Sequence, residues 1–150
     1  MNSTLMKLTN RHKVTFTLNI IGYEFETVYE NMYPEDKNWL LIEMQIDKYR
    51  LSYKRIDACL LTSEIKMLIT WVRKVREYNQ DTIIGFTEPC LGFRVFSIEN
   101  RWYIEPELQA EFDTRCILKH QDLWFPFTYL GATMMLENLE GALLDYPERG

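Results

Sequence analysis

An α+β fold, a mainly antiparallel sheet with two helices in one domain spanning residues 1–150, is predicted by three observations. Several segments alternate apolar and polar residues with a period of two, the mark of half-buried strands. Two segments carry apolar residues at helical spacing. The strand-like segments follow one another with helices at two points only, which favours an antiparallel sheet over alternating α/β units.

Val14, Phe16, Leu18 and Ile20 alternate with Thr15, Thr17 and Asn19, giving a strand that Tyr23 to Phe25 extends or bends after Gly22. Glu30 to Asn38, with Pro34, Glu35 and Asp36, reads as a loop. Trp39 to Asp47 is a second strand, with Leu40, Ile42, Met44 and Ile46 inward, and Arg50 to Ile56 a weaker third hairpinned onto it. A helix follows at about residues 63–78. Thr62 would cap it, Glu64 suits the positive end of its dipole, and Ile65, Leu68, Ile69, Val72 and Val75 form its apolar stripe. Ile83 to Thr87, Phe93 to Ile98, Trp102 to Phe112 and Leu123 to Leu130 read as further strands. A closing helix over residues 133–145 is capped by Thr133, with Leu136, Leu139, Leu143 and Tyr146 facing the core. Met1 to Lys13 is polar and lacks the apolar core of a signal peptide, and no run approaches the ~20 residues that span a bilayer. Cys59, Cys90 and Cys116 are odd in number, widely spaced and set among apolar or strand-like residues, which predicts buried, reduced thiols in a cytoplasmic chain.

The net charge is −5 and is unevenly spread along the chain. Residues 1–76 hold 12 Lys/Arg against 9 Asp/Glu, and residues 77–150 hold 5 against 13. The acidic half disfavours direct contact with nucleic acid and favours a basic protein partner. Its densest stretch is Glu105, Glu107, Gln109, Glu111 and Asp113, which alternates with Ile104, Pro106, Leu108, Ala110 and Phe112. Such a strand presents an acidic stripe. Like charges on alternate residues stand ~7 Å apart and repel by ~0.6 kcal/mol in water, which a domain of this size tolerates. Three causes compete for the stripe. A two-residue turn at Glu99 and Asn100 would set Arg94 opposite Glu105 and neutralise part of it. The acids would also protect a sheet edge, where Pro106 is at home. A basic partner would use them to speed association and set specificity.

Chemical motifs are sparse. His12 and His120 stand apart and read as solvent-facing, no CxxC pair occurs, and no metal site or cofactor is expected. The six glycines are scattered and form no phosphate loop. The serines lack a nucleophile-elbow context. Trp39, Trp71, Trp102 and Trp124 lie within predicted elements and read as packing residues. An enzyme would have to use Glu88 with an acid of the Glu105 series, as a small hydrolase. Acids sharing one exposed strand face have one environment, whereas acid–base pairs need two, so a non-enzymatic role is expected.

Four segments resemble the WapI-type bacterial immunity proteins in order and spacing: Gly22 to Phe25, Asp36 to Leu40, Cys59 to Glu64 and Phe86 to Phe93. The resemblance runs from about Leu8 to Tyr146. It implies a cytoplasmic antidote that binds the C-terminal toxic domain of a cell-wall-associated polymorphic toxin of the WapA type, used in contact-dependent growth inhibition. Such domains typically cleave RNA, notably tRNA, and would be blocked by occlusion of the active site. The resembling residues read as scaffold, so no binding residue is carried over. From the charge pattern, Glu105, Glu107, Glu111 and Asp113, with Glu35 and Asp36 of the first loop, are the candidate partner-binding residues. A hydrolase or a generic interaction module is the alternative.

Overall fold

The computed structural model describes residues 3–108 and 118–150. Eight strands and two helices run in the order β1 (Ser3–Thr9), β2 (Val14–Tyr23), β3 (Trp39–Lys48), β4 (Leu51–Leu61), α1 (Thr62–Tyr78), β5 (Thr82–Gly85), β6 (Leu91–Ile98), β7 (Arg101–Leu108), β8 (Phe125–Pro126) and α2 (Tyr129–Asp145), with a 3₁₀ turn over His120–Leu123 before β8. They form two four-stranded antiparallel meanders, β1-β2-β3-β4 and β5-β6-β7-β8. The predicted class therefore holds. No helix is long and apolar enough to cross a membrane, among the described residues.

The first sheet is built by its apolar alternation. In the β2–β3 ladder Phe16 faces Ile46, Leu18 faces Met44 and Ile20 faces Ile42, and all six are buried. A one-residue slip would turn every one of them to solvent, so the register is strongly specified. Phe16 ties this sheet to the other one. Its ring centroid lies 6.5 Å from that of Phe93 on β6 and 6.4 Å from that of Phe125 on β8. Helix α1 buries the whole predicted stripe, Ile65, Leu68, Ile69, Val72 and Val75. It packs on α2, which lies against β1.

The departures from expectation have local causes. Strand β1 was not expected because its alternation breaks at Leu5 and Met6, both buried. A register shift between Thr4 and Met6 lets consecutive apolar residues face inward. Strand β4 runs five residues past Ile56, and a similar shift lies opposite it between Leu40 and Leu41. Helix α1 starts one residue early, at Thr62, whose buried hydroxyl finds no partner among the described residues. Glu64 caps instead, accepting from the Leu61 amide at 3.0 Å. The segment Leu123 to Leu130 is largely not a strand: β8 keeps two residues, and α2 begins at Tyr129 rather than at residue 133. Thr128 is its cap, accepting from the Gly131 amide at 3.0 Å. Its aromatic neighbours Phe127 and Tyr129 hide that start, because they favour strands.

The cysteines correct a further expectation. Cys59 and Cys90 are buried, as predicted, but they are joined as a disulfide with Cα atoms 6.3 Å apart. Thirty-one positions separate them in sequence, and the fold returns the end of β4 to the start of β6. Cys116 lies outside the described residues.

Candidate functional site

Antiparallel pairing gathers the loops at two opposite ends of the strands. At one end lie the β2–β3 loop (residues 24–38), the end of β4, the β5–β6 loop (residues 86–90) and the end of β7. At the other lie the turns at residues 10–13 and 49–50 and the 3₁₀ turn. Charge follows these ends rather than the two halves of the sequence. The β2–β3 loop alone carries Glu24, Glu26, Glu30, Glu35 and Asp36 against Lys37.

This loop is held by backbone groups and by the C-terminal tail. The buried Asn38 side chain donates to the Pro34 carbonyl and the Arg149 carbonyl, each at 3.0 Å, and accepts from the Arg149 amide at 2.7 Å. The Arg149 guanidinium donates to the carbonyls of Lys37, Glu26 and Phe25 and lies 3.7 Å from the centroid of the Tyr23 ring. Loops with their ends pinned in this way present side chains at low entropic cost. Glu35 is exposed and Asp36 half-buried.

Two ties bring the β5–β6 loop to the same end. The Glu64 carboxylate accepts from the Thr87 amide at 2.7 Å, and the disulfide fixes Cys90 to β4. Glu88 is exposed between these ties. Asp57 of β4 is ion-paired with Arg55 at 2.9 Å. The carboxyl of Glu24 is shifted above its ordinary range, first by partial burial and then by the negative charges of Asp36, Asp57 and Glu88. The four acids thus share one neighbourhood. Among the described residues no group of three His, Cys, Asp or Glu side chains is arranged to hold a metal ion.

A pH-dependent consequence follows. A carboxyl whose folded-state pKa is raised favours folding while protonated, and that contribution is lost as pH rises through the folded value. At neutral pH Glu24 is therefore a small liability, because its side chain is largely exposed and screened. Glu24→Gln is expected to leave the melting temperature unchanged or slightly higher at pH 7. The advantage should vanish near pH 4, as thermal melts across that range would show.

The strand acids divide differently. Ile104 and Pro106 are buried as the alternation predicts, and Glu107 is exposed. Glu105 is not an open charge. Its carboxylate accepts from the Trp124 indole at 2.9 Å and pairs with Arg94 at 3.6 Å, and its side chain is 15% exposed. Arg94 does face Glu105 across the ladder, as the Glu99–Asn100 turn implied. Both turn residues take positive φ, which matches the twist of a two-residue hairpin. β8 covers β7 at Tyr103 and Ile104, so among the described residues the outer edge from Glu105 to Leu108 is uncovered. Glu111 and Asp113 lie outside the described residues. Of the acids a hydrolase could pair with Glu88, Glu105 falls in a separate setting with Arg94 and Trp124, Glu107 lies on β7 opposite Gly92, and Glu111 and Asp113 lie outside the described residues.

Sequence reasoning named Glu35 and Asp36 but missed Glu24 and Asp57 as their neighbours. Each is isolated in sequence from the others. The strand register joins them: Tyr23 pairs with Leu40 and Trp39 with Leu61, which sets both loop ends beside the end of β4.

A search of curated proteins and a search of solved structures each found no match. The model of the immunity protein WapI-like family matches residues 7–147, which takes in both sheets, both helices and the acidic end. The chain belongs to the WapI-like immunity protein family.

Proposed function

We propose that the protein is a cytoplasmic, non-enzymatic antidote that binds the C-terminal RNA-cleaving domain of a cell-wall-associated toxin and covers its basic active site. Family membership supports a toxin as partner. The observation that carries the rest is the gathering of Glu24, Glu35, Asp36, Asp57 and Glu88 at one end of the strands, the first three on a loop pinned by Asn38 and Arg149. A domain that cleaves RNA must be cationic where it holds phosphate, so an acidic surface complements it and competes with its substrate. Glu107, exposed on β7, extends the same reading, and Glu111 and Asp113, which follow it in sequence, are proposed with it; Glu105, held by Arg94 and Trp124, contributes little open charge. The acids are expected to act mainly on association rate and specificity.

The test mixes the purified protein with the toxin domain encoded beside it and follows both complex formation and residual RNA cleavage. Wild type should bind tightly and suppress cleavage. Glu35→Lys combined with Asp36→Lys should slow association about tenfold at low salt and flatten its salt dependence. An unchanged on-rate would remove the loop from the contact. Failure of the wild type to bind at low salt would sink the reading as a whole.

A further inference from the structure

The opposite end of the strands is cationic and holds a cleft of about 630 Å³, lined by Arg11, His12, Lys13, Lys48, Tyr49, Lys119, Gln121 and Asp122. These residues come from three separate segments: the β1–β2 turn, the β3–β4 turn and the approach to the 3₁₀ turn. Two polar side chains, the half-buried Asn10 and the buried Asp122, hold the segments together. Asn10 donates to the carbonyls of Asp122 and Trp124 at 2.8 and 3.1 Å, and its own side-chain oxygen accepts from the amides of His12 and Val14. Asp122 accepts from Lys48 Nζ at 2.6 Å and from the Lys119 amide at 2.8 Å. Its side chain is 5% exposed, and Lys48 is 13% exposed.

The floor of the cleft is therefore internally neutralised. Burial would raise the Asp122 pKa, but the hydrogen bonds from Lys48 and the Lys119 amide outweigh it and hold the carboxyl below its usual range. Asp122 stays ionised and balances Lys48. Arg11, Lys13 and Lys119 stand exposed around this pair, so the lining carries three positive charges in excess on a chain whose net charge is −5. Lys13 and Tyr49 both take left-handed backbone, with φ of 62° and 56°. Positions of this kind in residues other than glycine cost energy and are found where surrounding structure imposes them. Here they belong to the β1–β2 and β3–β4 hairpin turns, and both residues line the cleft. Tyr49 is 76% exposed, and Lys48 Nζ lies 5.9 Å from the centroid of its ring.

We propose that this cleft binds a nucleotide, with its phosphate held by Arg11, Lys13 and Lys119 and its base stacked on Tyr49. The volume lies within the range of small-ligand pockets and exceeds what a lone phosphate would fill. Cations beside an open aromatic ring are the pairing that phosphate and base require, and stacking on such a ring tolerates any base. The acidic loop lies at the other end of the strands, so the cleft is independent of the contact proposed for the toxin.

Calorimetric titration of the intact protein at low salt with adenosine monophosphate, inorganic phosphate and succinate tests the assignment. The nucleotide should bind at a single saturable site, more tightly than phosphate, and succinate should bind least. Arg11→Ser combined with Lys119→Ser should weaken nucleotide binding at least about tenfold. Tyr49→Ala should weaken nucleotide binding and leave phosphate binding unchanged. Both variants alter exposed side chains, and circular dichroism would confirm their fold. The proposal is overturned if nucleotide binding does not saturate, if phosphate or succinate binds as tightly, or if neither variant moves the affinity.

Discussion

Phe16→Ala is expected to cost about 4 kcal/mol of folding stability, in the range for truncating a fully buried phenylalanine. Phe16 sits on the central face of β2, opposite Ile46, and its ring meets Phe93 and Phe125 of the second sheet. Removing it would take the lost transfer energy and add a cavity that two sheets cannot easily close, since each is held in register by its own ladder. At ~150 residues, each kcal/mol moves the melting temperature by roughly 3 °C, so a fall on the order of 12 °C is expected. Phe16→Leu keeps most of the volume and should cost about 1.5 kcal/mol. Urea unfolding of the two variants beside wild type would measure both. A loss below about 1 kcal/mol for Phe16→Ala would mean that the sheets do not share one core through this ring.

That ring also shows how far the sequence could be read. Phe16 was legible as an inward residue of a strand, because alternation is a property of neighbours in the chain. Its partners Phe93 and Phe125 were not, since they lie more than seventy residues away. The same holds for most misread elements. Helix α1 carries an unbroken stripe from Ile65 to Val75 and was placed to within a residue, whereas β1 is interrupted at Leu5 and Met6 by a bulge that no local pattern announces. Helix α2 was found but started late, because Thr128 caps it from within an aromatic run.

The site was less legible than the fold for the same physical reason. The row from Glu105 to Asp113 stood out because its acids alternate in sequence, yet Glu105 spends its charge on Arg94 and Trp124. The acids that do share an environment, Glu24, Asp36, Asp57 and Glu88, come from three segments. Summing charge over sequence halves suggested a basic first half and an acidic second half. In the fold, Glu24 to Asp36 put part of the acidic end in the first half, and Lys119 puts part of the basic cleft in the second. Charge runs along the strands, and only the strand register reveals it.

The Cys59–Cys90 bond leads to the second large effect. Closing 31 residues of chain removes conformational freedom from the unfolded state worth about 3.5 kcal/mol on the chain-entropy model. Treatment of the oxidised protein with a phosphine reductant is therefore expected to lower its melting temperature by roughly 10 °C. The Cys59→Ala/Cys90→Ala variant should melt at least as low and be insensitive to reductant. Both sulfurs are buried, so the reduced thiols would still fit as small apolar groups and the fold should survive. What weakens is the β5–β6 loop, left with the Glu64 to Thr87 hydrogen bond as its tie to the start of α1. Because Glu88 lies between those two ties, its exchange protection and that of its neighbours should fall more than protection in β2 or β3. A melting temperature indifferent to reductant, with Cys59 and Cys90 both open to thiol labelling on unfolding, would show that the native protein carries no such bond. A reducing cytoplasm would favour the thiol form. The protein's behaviour with reductant therefore sets the state in which its acidic end meets a partner.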